Sequence, residues 1–214
     1  MRDAPPDCCY PSDNDLGIPT LPREYAGDAV DLPVLGWGTS LPRSKKCSGT
    51  VHFYVDDYRF NRVWADPTGV LHTEAPSIIE VNYSTFEQMP PAVAYERIYK
   101  KRWLSRFWGS HGRRIFVDLY VAERYSEVNL LGVPRGWPAY ATRAHSERFH
   151  ELESDYRRAV DHHGGEAGLV FLAYGGGREA ELRCRALNSA TIVWINDFRT
   201  SMSEERAKKQ KEGV

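Results

Sequence analysis

The sequence predicts an α/β domain built on a parallel sheet: a (β/α) barrel-like domain of about six units, incomplete or closed, with an open doubly wound sheet as the alternative. Three observations lead there. Short apolar runs alternate with helical stretches between residues 51 and 195, the pattern of successive βα units. The run Arg114–Val121 (RIFVDLYV) is apolar almost throughout, as in a strand covered on both faces. The units are short and of similar length, and no glycine-rich dinucleotide turn follows the first strand, which favours the barrel over the doubly wound sheet. A complete eight-unit barrel typically needs about 250 residues, more than the 214 present, so six or seven strands fit better.

Residues 1–50 read as a leader that packs on a core without building it. Prolines at 5, 6, 11, 19, 22, 33 and 42 forbid a long helix, Val34–Trp37 suits one short strand, and Arg43, Lys45 and Lys46 make a small basic loop. The core is expected over 51–200. Val51–Val55 is a β-branched and aromatic strand ended by Asp56-Asp57, and Tyr58–Trp64 has helical spacing with Asp57 as N-cap. Ser77–Tyr83 is the next strand. Pro90-Pro91 then opens a helix to about Trp108, because proline at the first turn loses no hydrogen bond. Gly109 and Gly112 stop it before the third strand. Ala139–Thr142 is a fourth strand, and Ser146 can cap a helix that ends at His162-His163 before Gly164-Gly165. Leu169–Tyr174, the triple glycine 175–177, a helix over 178–187 and the strand Thr191–Ile195 complete the core. Residues 201–214 form a charged tail.

Composition excludes several classes. At 42% hydrophobic and 27% charged, the chain is neither disordered nor low-complexity. With 28 basic and 29 acidic residues, a nucleic-acid site has to be a local patch. No apolar run approaches the roughly 20 residues that span a bilayer, and the polar, proline-bearing N-terminus is no signal peptide, which points to a reducing compartment and to free thiols. Cys8, Cys9, Cys47 and Cys184 contain no CxxC pair, and the seven histidines form no zinc-ligand spacing.

Two segments carry a family resemblance. VHFYVDDYRFNRVW (51–64) and YERIYKKRWLSRFW (95–108) resemble the domain-of-unknown-function family 4417 of bacteria, phages and mobile elements. The matching features are Asp56-Asp57 after a strand, Phe60 and Trp64, the Arg102-Trp103-Leu104 run with Trp108, and Gly132-Val133-Pro134. The similarity covers about residues 51–200. Where family members often carry an aspartate after the second strand, this chain has Glu80-Val81-Asn82. The resemblance implies a phage or mobile-element origin and no particular activity.

Ligands of parallel α/β folds bind at the C-terminal ends of the strands. Acids there are Asp56, Asp57, Glu80, Asp118 and Asp197. Asp56, Asp57 and Asp118 are the candidate catalytic residues, and Asp56, Glu80, Asp118 and Asp197 the candidate ligands for Mg²⁺ or Mn²⁺, hard ions that take oxygen donors and support phosphodiester chemistry. Capping and turn roles are the competing explanation for such acids. The turn Gly175-Gly176-Gly177 with Arg178 opens a helix and can cradle a phosphate, although no P-loop pattern is present. The segment 97–114 interleaves Arg97, Lys101, Arg102 and Arg106 with aromatics. That pattern suits nucleic-acid backbone tracking and base stacking, and equally an amphipathic helix with a solvated basic face.

Two functions follow. One is handling of nucleic acid or a phosphorylated ligand, with a metal–carboxylate site at the rim. The other is a non-enzymatic module that binds a host or phage protein through exposed aromatics, of which six tryptophans and twelve tyrosines offer a supply.

Overall fold

The computed structural model describes residues 9–38 and 46–197. The charged tail, Cys8, and Arg43 and Lys45 of the basic loop lie outside the described residues. Seven strands among the described residues run in the order β1 (Val34–Gly36), β2 (Thr50–His52), β3 (Ser77–Ile79), β4 (Arg114–Asp118), β5 (Ala139–Arg143), β6 (Val170–Tyr174) and β7 (Ile192–Ile195). Each pairs parallel with its sequence neighbours. That sequential order is a barrel's, and a doubly wound sheet would reverse it at a switch point. The sheet curls into a half-barrel. His52 at the end of β2 packs against Tyr174 at the end of β6, four strands away, with ring centroids 4.1 Å apart and the planes tilted by 42°. Such contact across the concave face requires curvature.

The helices are α1 (Thr68–Leu71), α2 (Pro91–Ser110), α3 (Ser126–Asn129), α4 (Phe149–His163) and α5 (Gly177–Asn188). Helix α2 starts at Pro91, where proline's fixed φ is pre-organised for the first turn. Gly164 ends α4 with φ +96°, a conformation that favours glycine. Tyr58–Trp64 differs from expectation. A 3-10 turn over Asp57–Arg59 replaces the helix, and Asp57 caps nothing. Its carboxylate accepts hydrogen bonds from the Ser84 hydroxyl at 2.8 Å and the Ser84 amide at 3.3 Å instead. Phe60, Val63 and Trp64 are buried all the same, and Tyr58 is exposed, so tertiary packing rather than helical periodicity placed those apolar residues. The aromatic core holds together by stacking: Phe53 lies parallel to Trp108 at 5.6 Å, and Trp103 to Phe107 at 5.5 Å.

The leader covers the opposite end of the sheet from the strand C-termini. Asp31 ties three strands at their first residues. Its carbonyl accepts from Thr50 Oγ1 (2.8 Å), and its carboxylate accepts from Ser77 Oγ (2.5 Å) and Arg114 Nη2 (2.5 Å). Farther upstream, Arg106 of α2 donates to the Thr20 carbonyl at 3.1 Å and packs over the Tyr10 and Tyr25 rings.

Candidate functional site

At the C-terminal ends of β2 to β5 the backbone leaves the ladder, and the following loops enclose a cleft of about 990 Å³. Asp56 and Asp57 stand on one lip, Glu87 and Glu123 on loops beyond β3 and β4, and Tyr120, Arg143, Arg148, Glu151 and Asp155 on the remaining wall.

Beneath it lies a buried ionic network that rigidifies the loops. Asp118 ends β4 with no exposed surface. Its Oδ1 accepts from the Tyr54 hydroxyl (3.0 Å) and the Tyr120 amide (3.1 Å); its Oδ2 accepts from Asn82 Nδ2 (3.1 Å) and Lys101 Nζ (3.1 Å). Glu80, equally buried, ion-pairs with Arg102 and accepts the Asp118 amide at 3.1 Å. Arg102 and Asn129 complete the set: Arg102 Nη2 donates to the Asn129 carbonyl at 2.6 Å, and Asn129 Nδ2 to the Asp118 carbonyl at 2.9 Å. Burial and the adjacent Asp118 charge push the Tyr54 phenol well above its ordinary value.

The sequence-derived candidates therefore separate. Asp56 and Asp57 reach the cleft, where Asp56 pairs loosely with Arg59 at 3.7 Å. Glu80, Asp118, Lys101 and Arg102 lie below its floor, each with a partner of opposite charge. Lys101 and Arg102 thus point inward and belong to no exposed basic face. The other basic residues of that segment are engaged too: Arg97 donates to the Ser84 carbonyl, and Arg113 donates to the Leu71 and Thr73 carbonyls at 2.9 and 3.0 Å. Gly175, Gly176 and Gly177 all have positive φ and lead from β6 into α5, and Arg178 is exposed. Asp197 lies beside Gly175, away from Asp118 and Glu80. Among the described residues, no group of three or more His, Cys, Asp or Glu side chains is arranged to hold a metal ion.

Residues that sequence reasoning missed line the wall formed by β5 and α4. The fourth strand runs one residue farther than expected and ends on Arg143. Arg143 is exposed and lines the cleft, and its side chain has no hydrogen bond or ion pair among the described residues. Its charge adds to burial in pushing the His52 imidazole down to about 3. His145 is pushed down to about 4 by burial, then by Arg148 and Arg143, and its Nε2 lies 2.9 Å from the Tyr120 hydroxyl. Arg148 donates to that hydroxyl at 2.7 Å and pairs with Glu151 at 3.0 Å. Asp155 is pushed up to about 7 by burial, against the hydrogen bond from Thr142 and the charge of Arg158. The one signal available for these residues was position: each ends a strand, follows one, or sits in the helix that comes next.

Comparison with known proteins supplies a lineage. A family model described as Domain of unknown function (DUF4417) matches residues 10–151, that is 142 of 214. The match reaches into the leader and ends at the start of α4, so the similarity lies farther toward the N-terminus than the expected 51–200. The Gene 1 protein of Mycobacterium phage D29 is 31% identical over 110 residues, covering 48% of this chain and 38% of that protein. The Gene 1 protein of Mycobacterium phage L5 is 30% identical over 98 residues, covering 43% and 42%. The chain thus spans about two fifths of the length of these curated relatives. No solved structure matches it. No helix among the described residues is long and apolar enough to cross a membrane.

Proposed function

The chain belongs to the domain-of-unknown-function family 4417, and from that premise we propose that it handles a small phosphorylated ligand in the cleft at the C-terminal ends of β2–β5, in the cytoplasm of a bacterial host, with Arg143 as the anion anchor. The observation that carries the reading is Arg143 itself: a strand-end guanidinium lining the mouth of a parallel α/β sheet, with no ion pair among the described residues. Guanidinium groups recognise phosphate through paired N–H donors. Strand C-termini are where this fold class binds ligands.

The lining decides the size of that ligand. Asp56, Asp57, Glu87, Glu123, Glu151 and Asp155 line the same cleft as Arg143 and Arg148. A continuous polyanion needs a basic track, and an acid-rich rim repels one. A ligand with one phosphate group, seated on Arg143 with neutral or cationic remainder near the acids, fits the charge pattern. Five of the six tryptophans also turn inward: Trp37, Trp64, Trp103, Trp108 and Trp137 are buried, and Trp194 is half-buried, so these five supply no aromatic docking patch.

The test is a thermal-shift series with inorganic phosphate, nucleoside monophosphates and short single-stranded DNA, on the wild type and on Arg143→Gln. A ligand at about 100 times its Kd adds about 2.7 kcal/mol. The reading expects a shift with phosphate or a monophosphate that Arg143→Gln removes. A shift that survives the substitution, or a response to DNA alone, overturns it.

A further inference from the structure

Tyr120 packs against the core and carries its phenol oxygen into a cluster of polar side chains. It is half-buried on the cleft wall. Its backbone is clamped from both sides: the amide donates to Asp118 Oδ1 at 3.1 Å, and the carbonyl accepts from Asn82 Nδ2 at 2.9 Å. A guanidinium can only donate, so the phenol oxygen accepts from Arg148 at 2.7 Å. The phenol's own proton is then available to His145 Nε2 at 2.9 Å. Burial and two neighbouring arginines hold that imidazole neutral, able to accept in the tautomer protonated on Nδ1. Glu151 fixes Arg148 from its far side at 3.0 Å. A nucleophile within hydrogen-bond reach of a base, with a cation beside the oxygen where negative charge develops, is the arrangement of covalent catalysis.

We infer that Tyr120 is a covalent phosphoryl acceptor for a phosphate monoester held in the cleft. The inference rests on the reading of the cleft as a phosphate site. In the step, the Tyr120 oxygen bonds to phosphorus as the bond from phosphorus to the ester oxygen breaks. The phenol's proton passes to His145 Nε2, and the departing alkoxide, in line on the far side of phosphorus, takes a proton from water and leaves as the alcohol. The product is phosphotyrosine, and no electrons change oxidation level. Arg148 stabilises the charge on the phenol oxygen, and Arg143 holds the phosphate.

The experiment incubates the full chain with p-nitrophenyl phosphate, quenches in acid, and reads intact mass and then peptide mass. The wild type is expected to gain one phosphoryl group on the peptide containing Tyr120. Tyr120→Phe should abolish the label and keep the thermal shift with inorganic phosphate. His145→Gln should slow labelling by about 10²-fold or more, the contribution of a general base. An unlabelled wild type that still shifts with inorganic phosphate overturns the acceptor role and leaves phosphate binding standing. A label that persists in Tyr120→Phe overturns it as well. Neither label nor shift removes both readings together.

Discussion

Lys101 of α2 and Asp118 at the end of β4 form a buried ion pair in which the ammonium is shared between two oxygens of one residue. Nζ lies 3.1 Å from the Asp118 carboxylate and 2.8 Å from its carbonyl, with side-chain exposures of 2% and 0%. The neighbouring pair, Arg102 with Glu80, is fully buried as well. These two pairs fasten the long helix to the strand ends from which the cleft loops emerge. Asp118 in turn holds Tyr120 and Asn82. The network is thus the foundation of the site, though none of its four charges faces the ligand space.

Lys101→Met should be severe for that reason. It leaves a carboxylate with no exposed surface and no counter-ion, and breaking a buried pair in this way costs about 3–5 kcal/mol. Lys101→Met combined with Asp118→Asn removes both charges. Its cost should fall clearly below the sum of the two single substitutions, because contacting residues are not additive. Urea unfolding of the four proteins reads this directly. Additive costs would mean that the two groups do not depend on each other.

The sequence made the architecture legible where local chemistry and burial agree. Pro90-Pro91 announced α2, Gly164 ended α4, and the apolar run after Arg114 became the central strand β4. Strand lengths were overread, since Phe53, Tyr54 and Val81 stay buried after the chain has left the ladder. Apolar character reports burial there, not pairing. The site was less legible. Lys101 and Arg102 sit in a run of charge that resembles a solvated face, and their acids lie 17 and 22 positions away in sequence. Nothing local marks such long-range partners. Arg143 was overlooked because its strand was ended one residue early, which hid the side chain that a strand end presents.

The triple glycine separates conformational need from steric need. Gly176 has φ +77°, and a Cβ there would lie 2.6 Å from the Ala180 Cβ and 3.1 Å from the Ala144 carbonyl carbon. Gly177 has φ +65° with nothing within 4 Å. Gly177→Ala should therefore cost only the left-handed strain, roughly 1–2 kcal/mol. Gly176→Ala adds overlap worth roughly another 1–3 kcal/mol. At about 2–4 °C per kcal/mol for a chain of this size, the Tm of Gly176→Ala should lie several degrees below that of Gly177→Ala. Equal values would mean that the α5 entry shifts to relieve the contact.

Asp155 gives the fold a pH dependence of defined sign. Its folded value of about 7 lies above the ordinary 3.8, so the folded state holds this proton more tightly. The stability it contributes is whole below the unfolded value and is lost as pH rises through 7. His52, His145 and His162, pushed down to about 3, 4 and 4 by burial, act in the opposite sense. Their contribution is present above about 6.5 and is lost as pH falls toward the folded values. Asp155→Asn removes only the first dependence. Relative to the wild type it should gain about 3 kcal/mol between pH 5 and pH 8. Denaturation curves at the two pH values test this, and a constant difference between the proteins would exclude Asp155 as the titrating group.

Gly109, inside α2, should reverse an ordinary rule. Replacing an interior helical glycine by alanine commonly stabilises by about 1 kcal/mol. Here the new Cβ would lie 2.1 Å from the Tyr25 ring, which the leader lays against the helix and over Arg106. Gly109→Ala must displace that ring and with it the contact of the guanidinium at 5.4 Å, so destabilisation is expected. In a Tyr25→Ala background the obstacle is gone, and the same substitution should become neutral or stabilising. That change of sign between backgrounds, measured by thermal unfolding, tests whether the leader is docked on α2 as part of the folded core. If Gly109→Ala has the same effect with and without Tyr25, the tyrosine does not occupy the space above the glycine, and the leader's contact with α2 must rest on its other residues, Tyr10 against Trp103 and Thr20 with Arg106.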